Sequence, residues 1–258
     1  MSEKRNVIQS DEESNSSEEQ KSFRTQMVDL FRNSPLPDEE LIASLGMYMR
    51  SSVLVKILVL EDLYRRVLNV PGCLLEFGCR WGHNLVVLEN LRAIFEPFNK
   101  TRKIVGFDTF QGYQGKTNID RGESEVFESK KYQTTEDYPS YLRSLLETHE
   151  GSSVLGHERG KHQLVVGDVA VTAPEYFDKH PETTVALAYF DMGLYGPTRA
   201  ALEVIKPYLV PGSVILLDEF TWDEAPGEAI AFREVFSHGE YKIEKHPLTP
   251  MRAIVTIR

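Results

Sequence analysis

The chain has 258 residues, of which 41% are hydrophobic and 26% charged. These proportions are ordinary for a globular protein and sufficient for one α/β domain with a full core. Its formal net charge of −10 argues against nucleic acid as a partner, since proteins that bind phosphate backbones usually carry basic surfaces. No apolar run approaches the roughly 20 residues that span a bilayer, and no signal-peptide core stands near the start. With only two cysteines, Cys73 and Cys79, the chain is expected to be cytoplasmic and to have no membrane partner.

Composition divides the chain into three regions. The polar, acidic residues 1–22 are expected to be a disordered tail because they bury too little surface to order themselves. Residues 23–70 are expected to form an N-terminal helical extension, and residues 71–258 an α/β domain.

A helix with regular apolar spacing is predicted from Val53 to Val70. Just before it, Arg50 and Ser51 could grip a ligand carboxylate through charge and hydroxyl contacts. Helix capping by the serine explains the same residues equally well.

The segment 72–84, GCLLEFGCRWGHN, predicts a strand, a glycine loop and the start of a helix. Its spacing, Glu76-x-Gly78-x-x-x-Gly82, differs from the G-x-G-x-x-G of dinucleotide sites. An acid at the strand end repels phosphate and suits a zwitterionic ligand. An ordinary turn in another kind of α/β enzyme is the alternative.

The next predicted strand, Lys103 to Asp108, also ends in an acid. At that point of a doubly wound sheet, an acid accepts hydrogen bonds from ribose hydroxyls. Thr109 and Phe110 begin the following loop, where a flat aromatic ring could pack near the ligand. Residues 111–162 are then too long and polar for a plain connection, and such an insertion usually covers an active site or makes an oligomer contact.

Three further strands are predicted to end in acids, and a final pair of strands forms a hairpin. Parallel strand ends meet at one edge of an open sheet, where ligands bind, so these side chains should converge. Carboxylates from neighbouring strands can hold a hard cation such as Mg²⁺. The acids concerned are Asp168, Asp191, Asp218 and Glu219.

Taken together, LLEFGCRWG, VGFDTF, YFDMGLY and LLDEF resemble motifs of class I S-adenosylmethionine-dependent methyltransferases, and in particular the macrocin O-methyltransferase (TylF-like) family. The resemblance covers residues 45 to 258. It implies a doubly wound, Rossmann-like sheet of five parallel strands with a C-terminal antiparallel hairpin, and an N-terminal extension that acts as a lid. The cofactor-binding residues it implies are Arg50, Ser51, Glu76, Gly78, Arg80, Trp81, Gly82, Asn84, Asp108, Thr109, Phe110, Gly167, Asp168 and Val169.

The resemblance also implies a metal-assisted transfer of methyl to a sugar hydroxyl of an antibiotic or another glycosylated metabolite, with S-adenosylhomocysteine as product. Asp191 falls on the position of the family's metal ligand and base, and Asp218 and Glu219 on its acidic pair. That pair is usually Asp-Asp, so Glu219 departs from the pattern, as do Gly196-Pro197 before Thr198.

Several alternatives stay open at this point. A phenolic or other small acceptor would suit the same carboxylates, and a catalytically silent cofactor-binding protein would keep the fold. An NAD-linked oxidoreductase conflicts with the glycine spacing, and nucleic-acid amine methylation lacks its (D/N)-P-P-(Y/F) motif. Tyr195 and Trp222 could stack on a sugar or simply close the core, and Glu228 fits the acidic first turn of a helix. The extra surface of the N-terminal helices and of the insertion predicts a homo-oligomer.

Overall fold

The computed structural model describes residues 17–120 and 132–258. The chain divides into two compact units, Met1–Lys56 and Ile57–Arg258. Residues 1–16, most of the predicted tail, and 121–131 of the predicted insertion lie outside the described residues. No helix within the described ranges is long and apolar enough to cross a membrane.

The described residues of the first unit are mainly helical, and the first helix begins inside the region 1–22. Helices α1 (Glu18–Arg32) and α2 (Asp38–Ala43) are followed by a short 3₁₀ turn and by the start of α3 (Ser51–Arg66). Residues 18–22 are thus helical, not part of a disordered tail. The reason is a capping box: the Ser17 hydroxyl accepts the Gln20 N–H, and the Gln20 side chain accepts the Ser17 N–H.

The second unit is built on a seven-stranded sheet with the order β3-β2-β1-β4-β5-β7-β6. The first five strands are parallel, and β7 and β6 are antiparallel additions at one side. This confirms the predicted doubly wound sheet with a C-terminal hairpin. The strands are β1 (Cys73–Phe77), β2 (Ile104–Asp108), β3 (His162–Val166), β4 (Val185–Phe190), β5 (Leu209–Leu217), β6 (Tyr241–His246) and β7 (Thr249–Ile257).

Within the described residues, five α-helices connect these strands: α4 (His83–Phe95), α5 (Tyr138–Ser152), α6 (Val169–Lys179), α7 (Tyr195–Ile205) and α8 (Gly227–Val235). The sequence pattern predicts that α6 begins at Ala173 and α7 at Thr198, and both begin earlier. Helix α6 starts directly after Asp168, which caps it. Helix α7 includes Pro197, which was expected in the preceding loop; proline is tolerated in a first turn because its missing N–H has no partner there.

Three phenylalanines from neighbouring strands support the sheet just below its carboxyl edge. Phe77 is in register with Phe107 and Phe190, and its ring stacks on theirs at centroid distances of 4.9 and 4.7 Å. All three are almost fully buried, and each contributes about 1.5–3 kcal/mol by its burial. The loops that follow β1, β2 and β4 therefore rest on a rigid base.

Candidate active site

The glycine loop after β1 lies directly against the end of β4. Gly78 has φ +91°, and a Cβ on it would stand 2.1 Å from the carbonyl oxygen of Asp191. Its N–H donates to the Phe107 carbonyl oxygen at 2.9 Å. Gly82, at φ +70°, precedes α4, and a Cβ there would meet Leu142 at 2.4 Å. Gly78 is required because a side chain there would collide with backbone, and Gly82 is favoured because its positive φ strains other residues and Leu142 fills the space beside it.

Asp108 joins the glycine loop to the loop after β2. Its two carboxylate oxygens accept the backbone N–H groups of Arg80 and Phe110, each at 2.6 Å. Both of these residues have positive φ, 45° and 57°, a conformation unusual for side-chain-bearing residues that the carboxylate stabilises. Burial raises the pKa of Asp108 against the lowering effect of these N–H groups. The sequence predicted Asp108 at the carboxyl edge of the sheet, where ligands bind, but not its hydrogen bonds to the Arg80 and Phe110 backbones.

Buried polar side chains line the same loop. Glu76 and Asn84 are each 1% exposed, and neither atom of the Asn84 amide has a hydrogen-bond partner among the described residues. Trp81 is 39% exposed and packs edge-on against Tyr138, whose hydroxyl donates to the Trp81 carbonyl oxygen at 2.8 Å. A buried amide without partners is costly unless a ligand satisfies it, so these residues fit a polar cofactor.

The remaining predicted cofactor residues lie after β2, after β3 and in the first unit. Thr109 follows Asp108, and its hydroxyl accepts the Gln111 N–H. After β3, Gly167 has φ +139°, Asp168 accepts the Ala170 N–H as N-cap of α6, and Val169 is buried.

Arg50 and Ser51 belong to the first unit. Ser51 begins α3, and the Arg50 carbonyl oxygen accepts the N–H groups of Val53 and Leu54. Their role toward a ligand stays a prediction, as does an adenine contact of Asp168.

The predicted acidic cluster is present. One carboxylate oxygen from each of Asp191, Asp218 and Glu219 lies within 4.8 Å of the other two. Hard divalent cations take oxygen ligands, at about 2.3–2.6 Å for Ca²⁺ and about 2.0–2.1 Å for Mg²⁺, and Glu219 Oε2 is buried without a hydrogen-bond partner among the described residues. The donor set and this unsatisfied atom fit a cation such as Mg²⁺ or Ca²⁺.

Asp218 carries a partner that sequence reasoning missed. Arg252 donates through Nε to Oδ1 at 2.5 Å and through a terminal nitrogen to Oδ2 at 3.3 Å, and the buried Tyr189 hydroxyl donates to Oδ1 at 2.6 Å. The register of β7 against β5 pairs Leu217 with Ala253 and so brings the preceding arginine beside the acid. Asp218 Oδ2 keeps the greater capacity for a further ligand.

Glu228 is a second missed residue. It lies in the first turn of α8, as expected, but its carboxylate serves other elements: Oε1 accepts the N–H groups of Met192 and Gly193, and Oε2 accepts that of Glu219, all at 3.1 Å. It is 0% exposed. Burial, together with the neighbouring carboxylates, raises the pKa of both Glu219 and Glu228.

The described start of the insertion is anchored at the same edge. The buried Asp120 accepts the Tyr195 N–H at 2.6 Å and the Thr117 N–H at 2.7 Å. Tyr113 and Trp222 pack against the buried Leu194 and Ala225. Burial, together with the charge of Glu219, raises the pKa of Tyr113.

The Tyr195 side chain turns to another partner, since its hydroxyl donates to Glu234 at 2.5 Å. The other aromatic candidate, Trp222, packs against Leu194 and Ala225 in the loops that follow β4 and β5.

A glycine loop with buried polar side chains stands beside the strand-end carboxylates on a sheet ordered 3-2-1-4-5-7-6. This arrangement defines a class I methyltransferase, in which the cofactor half and the acceptor half of the site share one sheet edge.

Solved structures give the family. The crystal structure of CalS11, described as a calicheamicin methyltransferase, shares 39% identity over 94% of each chain with a TM-score of 0.89. An apo structure of CalS11, described as TDP-rhamnose 3′-O-methyltransferase in calicheamicin biosynthesis, shares 37% identity over 94% of this chain and 96% of that chain, with a TM-score of 0.82. The chain belongs to the family of class I S-adenosylmethionine-dependent O-methyltransferases that includes CalS11.

The O-methyltransferase NovP shares the fold, with a TM-score of 0.62 at 16% identity over 79% of each chain. No protein-family model matches the chain, and no curated protein matches it. The narrower macrocin O-methyltransferase assignment therefore stays a prediction.

Proposed function

We propose that the protein transfers a methyl group from S-adenosylmethionine to a hydroxyl of a deoxysugar, carried by a nucleotide or by a glycosylated natural product of an antibiotic pathway. The observation that carries the proposal is the contact between the two halves of the site. Gly78 of the glycine loop lies against Asp191, and Asp191 lies within 4.8 Å of Asp218 and Glu219. The similarity to CalS11 supports a sugar acceptor.

On the cofactor side, the loop residues bind and orient. Asp108 holds the Arg80 and Phe110 backbones in place, and the same carboxylate has lone pairs left for ribose hydroxyls. The Asn84 amide and the buried Glu76 carboxylate offer acceptors for an ammonium group and a donor for a carboxylate.

On the acceptor side, Asp191, Asp218 and Glu219 would hold Mg²⁺ or a similar ion. When bound, S-adenosylmethionine supplies an electrophilic methyl group, and the cation supplies a Lewis acid that lowers the pKa of the acceptor hydroxyl. Asp191 accepts the hydroxyl proton at a carboxylate oxygen. Arg252 offsets the charge of Asp218 and holds it in one orientation, while Trp222 and Tyr113 offer apolar ring faces to the sugar.

An acceptor panel tests the proposal. Purified protein is incubated with S-adenosylmethionine, Mg²⁺ and, separately, TDP-rhamnose, a free rhamnoside and a catechol, and products are read by mass spectrometry. We expect a single added methyl on the sugar acceptors. Methylation of the catechol alone would show that the acceptor is a phenol and not a sugar. Binding of S-adenosylhomocysteine without turnover of any acceptor would favour a catalytically silent cofactor-binding protein.

Three further properties belong to the same proposal. A homo-oligomer is supported by the exposed apolar side chains of Phe23, Leu30, Ile42 and Met47, each more than half exposed within the first unit. A cytoplasmic location is supported by the free thiols of Cys73 and Cys79. The net charge of −10 argues against nucleic acid as a partner. Light scattering at working concentration tests the first of these, and a monomeric mass would contradict it.

A further inference from the structure

The side chain of Glu228 reaches both loops that carry the acidic cluster. Its carboxylate accepts two N–H groups from the loop after β4 and one from the end of β5, each at 3.1 Å. It belongs to neither loop, since it lies in the first turn of α8.

The backbone on either side of these contacts is held by the sheet. The Asp191 N–H donates to the Phe77 carbonyl oxygen at 2.9 Å, and the Asp218 N–H donates to that of Phe190 at 3.1 Å. The residues that follow have left the sheet. Met192, Gly193 and Glu219 would leave their N–H groups without these acceptors if Glu228 were absent, and the direction of the Asp191 and Glu219 side chains would no longer be fixed.

The neighbouring glycine shows how closely α8 must approach. A Cβ on Gly227 would stand 2.5 Å from the Tyr195 nitrogen and 2.7 Å from both Asp120 Oδ1 and the Gly193 carbonyl oxygen. The helix start is therefore pressed into the junction of the β4 loop, the start of α7 and the insertion, which brings the Glu228 carboxylate within reach of all three N–H groups.

We propose that Glu228 is a positioning residue of the methyl-transfer site: it fixes the loop after β4 to the end of β5 so that Asp191 and Glu219 face the acceptor hydroxyl together. It does not itself touch the acceptor. This inference rests on the proposed role of Asp191 as the base.

The primary variant is Glu228→Gln, which keeps the size and one accepting oxygen. That oxygen can still serve Met192 and Gly193, but the amide nitrogen faces the Glu219 N–H, so two donors meet. The matched control is Glu150→Gln. Glu150 is likewise about 1% exposed and accepts two backbone N–H groups, from Gly160 and Lys161, but it lies near the end of α5 and bonds the segment that leads into β3.

We expect Glu228→Gln to lower kcat at least tenfold while the dissociation constant of S-adenosylhomocysteine stays within twofold of wild type. Glu150→Gln should lower the Tm but keep kcat within twofold. Amide exchange followed by NMR, without acceptor or added cation, should accelerate most at Glu219 in Glu228→Gln and not in the control. A merely structural role would lower the Tm of both variants and leave kcat unchanged.

Two further outcomes are decisive. Unchanged exchange at Glu219, or an unchanged kcat, would overturn the role of Glu228 even if the sugar is methylated. A wild-type protein that methylates no acceptor would instead overturn the proposed function, and the exchange measurement would then still decide whether Glu228 fixes the two loops. If Glu228→Gln does not fold, Gly227→Ala makes the same test, since it displaces the start of α8 without changing a charge and should reproduce the loss of kcat.

Discussion

Gly78 and Asp191 are in contact through their backbones: a Cβ on the glycine would lie 2.1 Å from the aspartate carbonyl oxygen. The glycine belongs to the loop that we propose binds the cofactor, and the aspartate begins the loop that we propose faces the acceptor. The distance between the two halves of the site is therefore set by one residue that has no side chain.

Gly78→Ala should abolish binding of S-adenosylhomocysteine, because the methyl group cannot fit at φ +91° and must displace the end of β4. Calorimetric titration measures the effect. The control is Gly239→Ala, which also has a positive φ, 103°, but meets no atom within 4 Å. It should cost about 1–2 kcal/mol of stability and leave the affinity unchanged. Wild-type affinity in Gly78→Ala would contradict the contact.

Asp191→Asn should lower kcat by roughly 10²–10⁴, the range of a general base, while cofactor affinity stays the same. Steady-state kinetics and a parallel titration with S-adenosylhomocysteine separate the two effects. Asp223→Asn, an exposed acid in the loop after β5, serves as the matched control and should retain full activity. Turnover by Asp191→Asn at the wild-type rate would remove the base assignment.

Chelation tests the cation. Dialysis against EDTA should abolish methyl transfer, Mg²⁺ should restore it, and S-adenosylhomocysteine should bind equally well in both states, because the acidic cluster stands on the acceptor side. Direct binding of Mn²⁺, measured by electron paramagnetic resonance, should be lost in Asp218→Asn. Full activity in EDTA, with no Mn²⁺ bound, would leave Arg252 as the cation that neutralises the cluster.

Substitution of Asp168 can separate its role as the N-cap of α6 from its predicted contact with adenine. Asparagine caps helices as well as aspartate does, so Asp168→Asn should keep the Tm of the protein. If the carboxylate also accepts a hydrogen bond from the adenine amino group, the same variant should bind S-adenosylhomocysteine roughly tenfold more weakly, a difference of about 1.4 kcal/mol. Unchanged affinity would reduce the residue to a helix cap.

The ion pair between Glu96 and Arg102, away from the acidic cluster, should control how the stability of the protein depends on pH in the acid range. Burial raises the pKa of Glu96, but hydrogen bonds from Arg102, Tyr64 and Asn99 outweigh it, so the pKa is lowered from 4.5. A carboxyl whose pKa is lower in the folded than in the unfolded state stabilises the fold at pH values above its unfolded-state pKa. This stabilisation is lost as the pH falls through its folded-state pKa.

Glu96→Gln should therefore cost about 1–3 kcal/mol near neutral pH, and the Tm difference from wild type should shrink below pH 4.5. Thermal unfolding followed by circular dichroism between pH 3 and 8 measures this (the pH limits are roughly those over which carboxylates titrate). The control Glu158→Gln, in an exposed pair with Lys100, should not change the Tm. A Tm difference between wild type and Glu96→Gln that grows as the pH falls would contradict a lowered pKa for Glu96.

The sequence by itself determined the sheet and its reactive edge. Apolar strands alternate with helical patterns, and a parallel sheet must bring all its carboxyl ends to one side, so Glu76, Asp108, Asp191 and Asp218 could be placed together without coordinates. Strand and helix ends were less accurate, as at α6 and α7, because capping by Asp168 and a proline in a first turn decide them locally.

Only the tertiary structure decided which groups hold these acids in place. Asp120, Glu228 and Arg252 each bond a residue that lies more than 30 positions away along the chain. Nothing in their local sequence distinguishes them from a loop acid, a helix-start acid or a strand arginine. Hydrogen bonds between distant segments depend on how loops and helices close over the sheet edge, which periodicity does not encode. The reactive residues follow from the pattern of the strands, whereas the residues that position them follow from packing.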